Sequence, residues 1–253
     1  MVKVILHGCN GKMGRMITGI CKEDDGVEIV AGIDVFDGVE NTYPVFSQIT
    51  DCEVPADVIV DFTNAGAVDA LLSYSADKKL PLVLCSTGLS EEQLAGVQKT
   101  AERTAILKSA NMSLGVNTLI DLLKKAASVF APAGFDIEIV EKHHNQKLDA
   151  PSGTALALAD AVNEALPDTY TYTYDRSGRR QKREKQEIGI SSVRGGSIVG
   201  EHEVIFAGTD EVITLQHTAY SRAVFAKGAV EAAKFLAGKD AVMYDMADVI
   251  AAK

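Results

Sequence analysis

The sequence predicts an α/β protein in which a mostly parallel sheet is followed by a mixed, α+β portion. Three observations lead there. Up to about residue 112, short apolar runs alternate with stretches of helical period, the rhythm of strands joined by crossover helices. A glycine-rich turn links the first apolar run to the first helix-like stretch. Beyond that point β-branched and aromatic runs with long connections indicate antiparallel or mixed pairing.

Residues 3–7 alternate into a strand, and Met13, Met16, Ile17 and Ile20 behind the glycine turn stand at helical spacing. Residues 27–33, 57–62 and 80–84 are apolar runs read as strands, and 67–75 and 91–103 carry the helical pattern around them. A long amphipathic stretch at 115–130 leads to a strand at 135–141 and, after a polar block, to a helix through 156–166. Strand-like runs follow at 169–174, 188–193 and 204–206, and helix-like stretches at 225–236 and 244–251 end the chain. No internal repeat or low-complexity linker occurs, so the change of rhythm alone divides the chain in two.

The 253 residues suit two modest domains. With 47% hydrophobic and 24% charged residues the composition is that of a globular protein. A formal charge of -10 excludes broad electrostatic binding to nucleic acid or to an anionic membrane. No run of about 18 apolar residues offers a membrane span, and the first residues enter a strand without the features of a signal peptide. Cys9, Cys21, Cys52 and Cys85 are scattered and form no C-x-x-C pair, so a cytoplasmic protein with reduced thiols is expected.

Gly8-Cys9-Asn10-Gly11-Lys12-Met13-Gly14 follows a strand and precedes a helix, the setting of a dinucleotide fingerprint. Glycines make the turn tight and let backbone N–H groups approach a pyrophosphate at the helix N-terminus. The spacing is G-x-x-G-x-x-G rather than G-x-G-x-x-G, but Asp34, 20 residues after Gly14, is an acid at the end of the second strand, where the adenosine ribose hydroxyls bind. Such an acid disfavours a 2'-phosphate, whereas Lys12 could reach one. The competing reading is a turn that only packs a helix closely on a strand. Asp61-Phe62-Thr63 and Cys85-Ser86-Thr87-Gly88 also end strands on the side where ligands of open α/β sheets sit, though either alone reads as an ordinary strand-to-helix turn.

The richest block runs from Glu141 to Ala155 and holds His143, His144 and Lys147 ahead of a helix start at Pro151 and Ser152. Backbone N–H groups of Ser152, Gly153 and Thr154, with the Thr154 hydroxyl, form a ready anion site. No metal is expected, because neighbouring residues of an extended segment point to opposite sides and no further ligand stands at the right spacing. Capping or surface histidines remain the plain alternative. The adjacent lysine and anion site favour proton transfer instead.

Glu141 to Ala155 follows the pattern E-x-H-H-x-x-K-x-D-A-P-S-G-T-A, and on it the chain resembles the dihydrodipicolinate reductase family. Gly8 to Arg15 fits G-x-x-G-x-M-G-R, Asp61 to Thr63 the D-F-T turn, and Ala110 to Asn117 A-N-x-S-x-G-V-N. Further matches at Gly200-Glu201-His202, Ser221-Arg222 and Gly228-Ala229 spread the resemblance over essentially the whole chain.

The resemblance implies a Rossmann-like dinucleotide-binding domain, residues 1–113 plus 222–253, with an inserted α+β mixed-sheet domain, 114–221, for substrate binding and oligomerisation. It implies hydride delivery from NADH or NADPH to C4 of a cyclic imine dicarboxylate in lysine and diaminopimelate biosynthesis, by a homotetramer. His143 takes the position of the catalytic acid/base and Lys147 that of the proton donor. His144, Ser152, Gly153 and Thr154, with Arg222, fall where the substrate carboxylates bind. Gly8, Cys9, Asn10, Gly11, Lys12 and Met13, then Asp34, then Cys85, Ser86 and Thr87, then Ser109, Ala110, Asn111 and Met112, fall at cofactor positions. Cys85-Ser86-Thr87 stands in place of Gly-Thr-Thr, and Met112 in place of a frequent phenylalanine. No arginine follows Asp34, so NADH is the expected donor with NADPH also usable. The alternatives are another NAD(P)-dependent amino-acid dehydrogenase, of aspartate or diaminopimelate type, and a non-catalytic NAD(H)-sensing protein.

Residues 176–185 hold six basic residues and one acid, a net of +5 that leaves -15 for the rest of the chain. Without interleaved aromatics the run reads as a solvated loop, with steering of an anionic substrate as its functional alternative.

Overall fold

A computed structural model describes residues 1–253. The chain divides into two compact units, Met1–Leu114 with Ala223–Lys253, and Gly115–Arg222. The first unit opens with β1 (Val2–His7), α1 (Lys12–Cys21), β2 (Val27–Ile33), β3 (Val45–Phe46), β4 (Val58–Asp61), α2 (Val68–Lys78), β5 (Leu82–Leu84), α3 (Glu91–Ala101) and β6 (Ile106–Leu107). The second contains α4 (Leu114–Phe130, starting at the boundary), β7 (Asp136–His143), α5 (Gly153–Glu164), β8 (Thr171–Thr173), β9 (Glu187–Arg194), β10 (Gly200–Ala207) and β11 (Val212–Ala219). The chain then returns to the first unit with α6 (Ala223–Leu236), β12 (Met243–Tyr244) and α7 (Met246–Ala251).

In the first unit seven strands pair in parallel in the order β12-β6-β5-β4-β1-β2-β3. Both faces are covered, which is why its strands read as unbroken apolar runs. Val4, Leu6, Val58 and Val60 point into a core shared with α1, α6 and α7. Ile5, Ile59, Leu82 and Leu84 point the other way, onto α2 and α3. The strand order reverses between β1 and β4, so the loops at the carboxyl ends of these strands flank a topological switch point. The glycine turn after β1, Asp34 after β2, Cys85 after β5 and Ser109 after β6 all lie on that side.

The second unit is a five-stranded mixed sheet, β11-β10-β7-β9-β8. β7 and β10 alternate buried and half-buried residues along their whole length. Their inward side chains pack with α4 and α5 around Phe206, Leu123 and Leu158. That period of two places Glu141 and His143 on the same inward face.

Two sequence expectations change. The stretch 244–251 was expected to be all helix, but Tyr244 pairs with Leu107 in β12. Asp245 then starts α7 by accepting from the Ala247 and Asp248 N–H groups while the Asp248 carboxylate accepts from its own, a reciprocal cap that fixes where the helix begins. The basic loop is solvated over most of its length, but its half-buried arginines tie it down. Arg176 pairs with Glu138 and Glu187, Arg179 with Glu187, and Arg183 with Asp136 and Glu138, which fastens the loop to β7 and β9.

Candidate active site

In the first unit the glycine turn is shaped by backbone approaches that exclude side chains. Gly8 has φ +84°, and a Cβ there would stand 2.8 Å from the Phe62 carbonyl oxygen. A Cβ on Gly14 would overlap the Gly8 carbonyl oxygen and lie 2.6 Å from the Cys9 carbonyl carbon, so α1 can start this close to β1 only with glycine there. Gly11 is the N-cap of α1, no side chain caps the helix, and its first turn holds no acid. The opening N–H groups of a ten-residue helix are therefore left for an external anion. Lys12, exposed at the start of the helix, adds a positive charge.

Asp34 is held rigidly beside this turn. One carboxylate oxygen accepts from the Asn10 N–H at 2.9 Å and the other from the Phe36 N–H at 3.0 Å. The Asn10 amide donates to the Phe36 carbonyl and accepts from Asn41, tying the loop after β2 to the turn after β1. Cys9 and Asn10 are buried, so they build the turn from beneath. Met13 is half-buried and packs against the core with α6.

At the next strand ends Asp61 is fully buried and accepts from the Thr63 hydroxyl at 2.7 Å and the Ser86 hydroxyl at 2.6 Å, with His7 Nδ1 at 2.9 Å. Ser86 is thus held inward, while Thr87 is exposed. Burial pushes the Cys85 thiol well above its usual range, so it stays protonated and inert. After β6 the Asn111 side chain accepts from the Ser113 N–H at 2.8 Å; Ala110 is exposed, Ser109 half-buried and Met112 buried. These features fit a dinucleotide: a glycine cradle closed to side chains, an uncapped helix start and a fixed acid at the end of the neighbouring strand.

In the second unit His143 ends β7, is buried, and lies 2.5 Å through Nδ1 from the Glu141 carboxylate. Arg194 donates to both oxygens of Glu141, at 2.8 and 2.7 Å, and the Ser152 N–H donates to one of them at 3.2 Å. Burial alone would raise the Glu141 carboxyl, yet the Arg194, Ser192 and His143 contacts hold it down to about 2. His202 packs edge-on against His143 with ring centres 5.1 Å apart, and burial brings it down to about 4, so it is neutral. Its Nε2 lies 3.0 Å from the Ser152 hydroxyl.

Lys147 stands in the loop between β7 and α5, with its Nζ 2.8 Å from the Asp149 carboxylate. The Asp149 carboxyl is held below its ordinary value by Lys147 and by the Asp149 and Gly153 N–H groups, against the opposing effect of burial. An internal carboxylate therefore already stands at the lysine and the start of α5, where positive charge and open N–H groups favour an anion. His144 is half-buried, Gly153 exposed and Thr154 half-buried at the first turn.

Ser152 departs from the sequence expectation. It is buried, its N–H is given to Glu141, and its hydroxyl accepts from the Ala155 N–H at 3.1 Å and contacts His202, so it caps α5 instead of offering an open anion contact. Arg222 is exposed at the end of the second unit and bonds to none of the His143 cluster. Sequence reasoning passed over Glu141, Arg194 and His202 as partners of His143. A glutamate two residues before a histidine on a strand was a usable signal, since both then share a face. Arg194, 53 positions away from Glu141, could be found only through the β7–β9 register.

The profile described as "Dihydrodipicolinate reductase, N-terminus" matches residues 2–112, and "Dihydrodipicolinate reductase, C-terminus" matches 115–250. The 4-hydroxy-tetrahydrodipicolinate reductase of Clostridium novyi is 51% identical over 253 residues, covering 100% of both chains. The protein of that name from Caldanaerobacter subterraneus subsp. tengcongensis is 50% identical, covering 99% of this chain and 98% of its own. Among solved structures, a dipicolinate-bound dihydrodipicolinate reductase from Paenisporosarcina sp. TG-14 superposes with a TM-score of 0.79 at 26% identity, covering 97% of each chain. A cradle suited to a dinucleotide, a histidine and a lysine near one helix start, and relatives that align with the chain from end to end at about 50% identity converge: the chain belongs to the dihydrodipicolinate reductase family.

Proposed function

We propose that the protein is an NAD(P)H-dependent oxidoreductase that reduces 4-hydroxy-tetrahydrodipicolinate to tetrahydrodipicolinate, a step of lysine and diaminopimelate biosynthesis. The observation that carries this reading is the second-unit cluster, in which His143 and Lys147 flank a helix start that already receives a carboxylate. A dicarboxylate substrate matches that chemistry, and family membership weighs against the aspartate-type and cofactor-sensing alternatives.

Residues 1–113 and 222–253 serve the cofactor in this reading, and 114–221 the substrate. When bound, the reduced nicotinamide supplies a hydride. The α1 start with Lys12 and the Gly8–Gly14 turn hold the pyrophosphate, Asp34 the adenosine ribose, and the strand ends at Cys85–Thr87 and Ser109–Met112 border the nicotinamide. On the substrate side the Gly153 and Thr154 N–H groups and His144 receive a carboxylate, which displaces Asp149 from Lys147, and Arg222 serves a carboxylate too. Lys147, released, stabilises the negative charge that develops on the conjugated ring nitrogen and donates a proton to it. His143, through the ring nitrogen that Glu141 does not hold, takes a proton from the ring carbon next to C4 and returns it to the 4-hydroxyl, which departs as water; the hydride and the Lys147 proton are then the two hydrogens the ring gains. We also read the enzyme as a cytoplasmic homotetramer that needs neither metal, nucleic acid nor membrane; no helix is long and apolar enough to cross one.

The test is oxidation of NADH or NADPH coupled to the synthase that makes the substrate. Wild type turns over, and His143→Ala and Lys147→Ala each lose about 100-fold or more in kcat, the usual worth of a placed proton donor. Absence of wild-type turnover, or undiminished turnover in both variants, rules the reading out.

A further inference from the structure

His143 has two ring nitrogens, and the groups around it settle which one meets the substrate. Glu141 is fully buried and, with Arg194, Ser152 and Ser192 donating to it, is an anion that can only accept. Its 2.5 Å partner, His143 Nδ1, must therefore carry the proton. The other nitrogen, Nε2, lies toward Gly200, where a Cβ would come within 3.1 Å of it and where none exists. Every neighbouring strand adds to the enclosure: β9 brings Arg194, β10 brings His202, and the loop after β7 brings Lys147. Burial, Lys147 and Arg194 oppose a positive charge on His143, and Glu141 alone among these groups favours it. His202 is neutral and meets the His143 ring in a T-shaped contact with the planes at 75°.

We propose that Glu141, clamped by Arg194, is the positioning residue of the reaction: it fixes His143 with its proton on Nδ1 and Nε2 free for substrate, and it balances the imidazolium while His143 holds the transferred proton. This rests on His143 being the acid/base group proposed above. Glu141 touches no substrate in this assignment and acts through the ring alone, as the outer carboxylate of a carboxylate–histidine pair does.

Two measurements test it. In wild type, long-range proton–nitrogen NMR of the His143 ring should show the Nδ1–H tautomer at neutral pH; an Nε2–H tautomer overturns the proposal without any assay of activity. In kinetics, Glu141→Gln keeps the shape and removes the charge. Its kcat should fall at least about tenfold with KM changed by less than about threefold. Loss of the anion destabilises imidazolium, so the acidic limb of the kcat profile should move to lower pH by about one unit. Glu141→Asp, which restores the charge, should return the limb toward its wild-type position. Because the substitution leaves the half-buried Arg194 without its carboxylate partner, the Glu141→Gln, Arg194→Met pair is made alongside and is expected to keep the kinetic defect while regaining thermal stability. A folded Glu141→Gln enzyme with wild-type kcat and an unmoved limb refutes the positioning role. If His143→Ala is itself fully active, the reading of the reaction fails instead, and the two failures are told apart by that one variant.

Discussion

Two hydrogen bonds decide what Asp34 does. Its oxygens are taken by the Asn10 and Phe36 N–H groups, which leaves the carboxylate fixed in place with lone pairs to spare for ribose hydroxyls. A 2'-phosphate would bring a second negative charge beside it, and like charges about 4 Å apart repel by about 4 kcal/mol before screening at a surface-like dielectric. Val35, almost fully exposed, stands where a basic side chain could have offset this, and Lys12 is the one cation of the glycine turn. We therefore expect kcat/KM with NADH to exceed that with NADPH by about tenfold or more, and Asp34→Asn to narrow the ratio chiefly by improving NADPH. Equal or better efficiency with NADPH in wild type contradicts this. The place of Asp34 beside the glycine turn was legible in the sequence because it ends the second strand, 20 residues beyond Gly14. Ser152 was misread because a serine before a helix can either cap it or bind an anion, and the choice depended on Glu141 and His202, which arrive from β7 and β10.

Helix α6 shows how an element can matter to a site through one missing side chain. A Cβ on Gly228 would overlap the Met112 carbonyl oxygen and come 2.7 Å from its carbon, so the helix and the loop after β6 touch backbone to backbone. Gly228→Ala must push that loop aside. Overpacking of this type costs about 1–3 kcal/mol, and we expect a lower melting temperature together with weaker NADH binding, measured by nucleotide fluorescence. A variant with normal affinity would mean that the 109–112 loop does not border the cofactor. The small residues of α6 announced close packing in the sequence, but not against what. Long elements were readable from their period: α4 and β7 repeat it several times, whereas β10 was caught only at 204–206 of its eight residues because Glu201, His202 and Glu203 open it. β3, β6 and β12 have two residues each and no period to display, and they exist because neighbouring parallel strands offer them partners. β11 does alternate, with Ile213 and Leu215 inward, yet its polar outward residues blurred it into the preceding connection.

At the scale of the molecule the charge of -10 says less than how charges are paired. The basic loop 176–185 spends Arg176, Arg179 and Arg183 on carboxylates of β7 and β9, so of its six cations only Arg180, Lys182 and Lys185 remain to steer a substrate. Its main work is to neutralise Glu187, which is 3% exposed and takes bonds from Arg176, Arg179 and Thr173. Burial would raise this carboxyl, but the arginines hold it down to about 2, as Arg194 does for Glu141 on the other side of the same sheet. A carboxyl depressed in the folded state binds fewer protons folded than unfolded, so it stabilises above its ordinary value near 4.5, and that stabilisation is lost as pH falls towards about 2. Glu187→Gln should therefore destabilise the protein at pH about 6 by about 3 kcal/mol, the scale of breaking a desolvated ion pair. The gap to wild type should close by a pH of about 2, where the wild-type carboxyl is itself losing its charge and resembles the amide. Urea unfolding at the two pH values, followed by circular dichroism, checks both halves. A gap that persists undiminished in acid would mean that Glu187 acts by packing and that the loop is fastened by Glu138 and Asp136 instead.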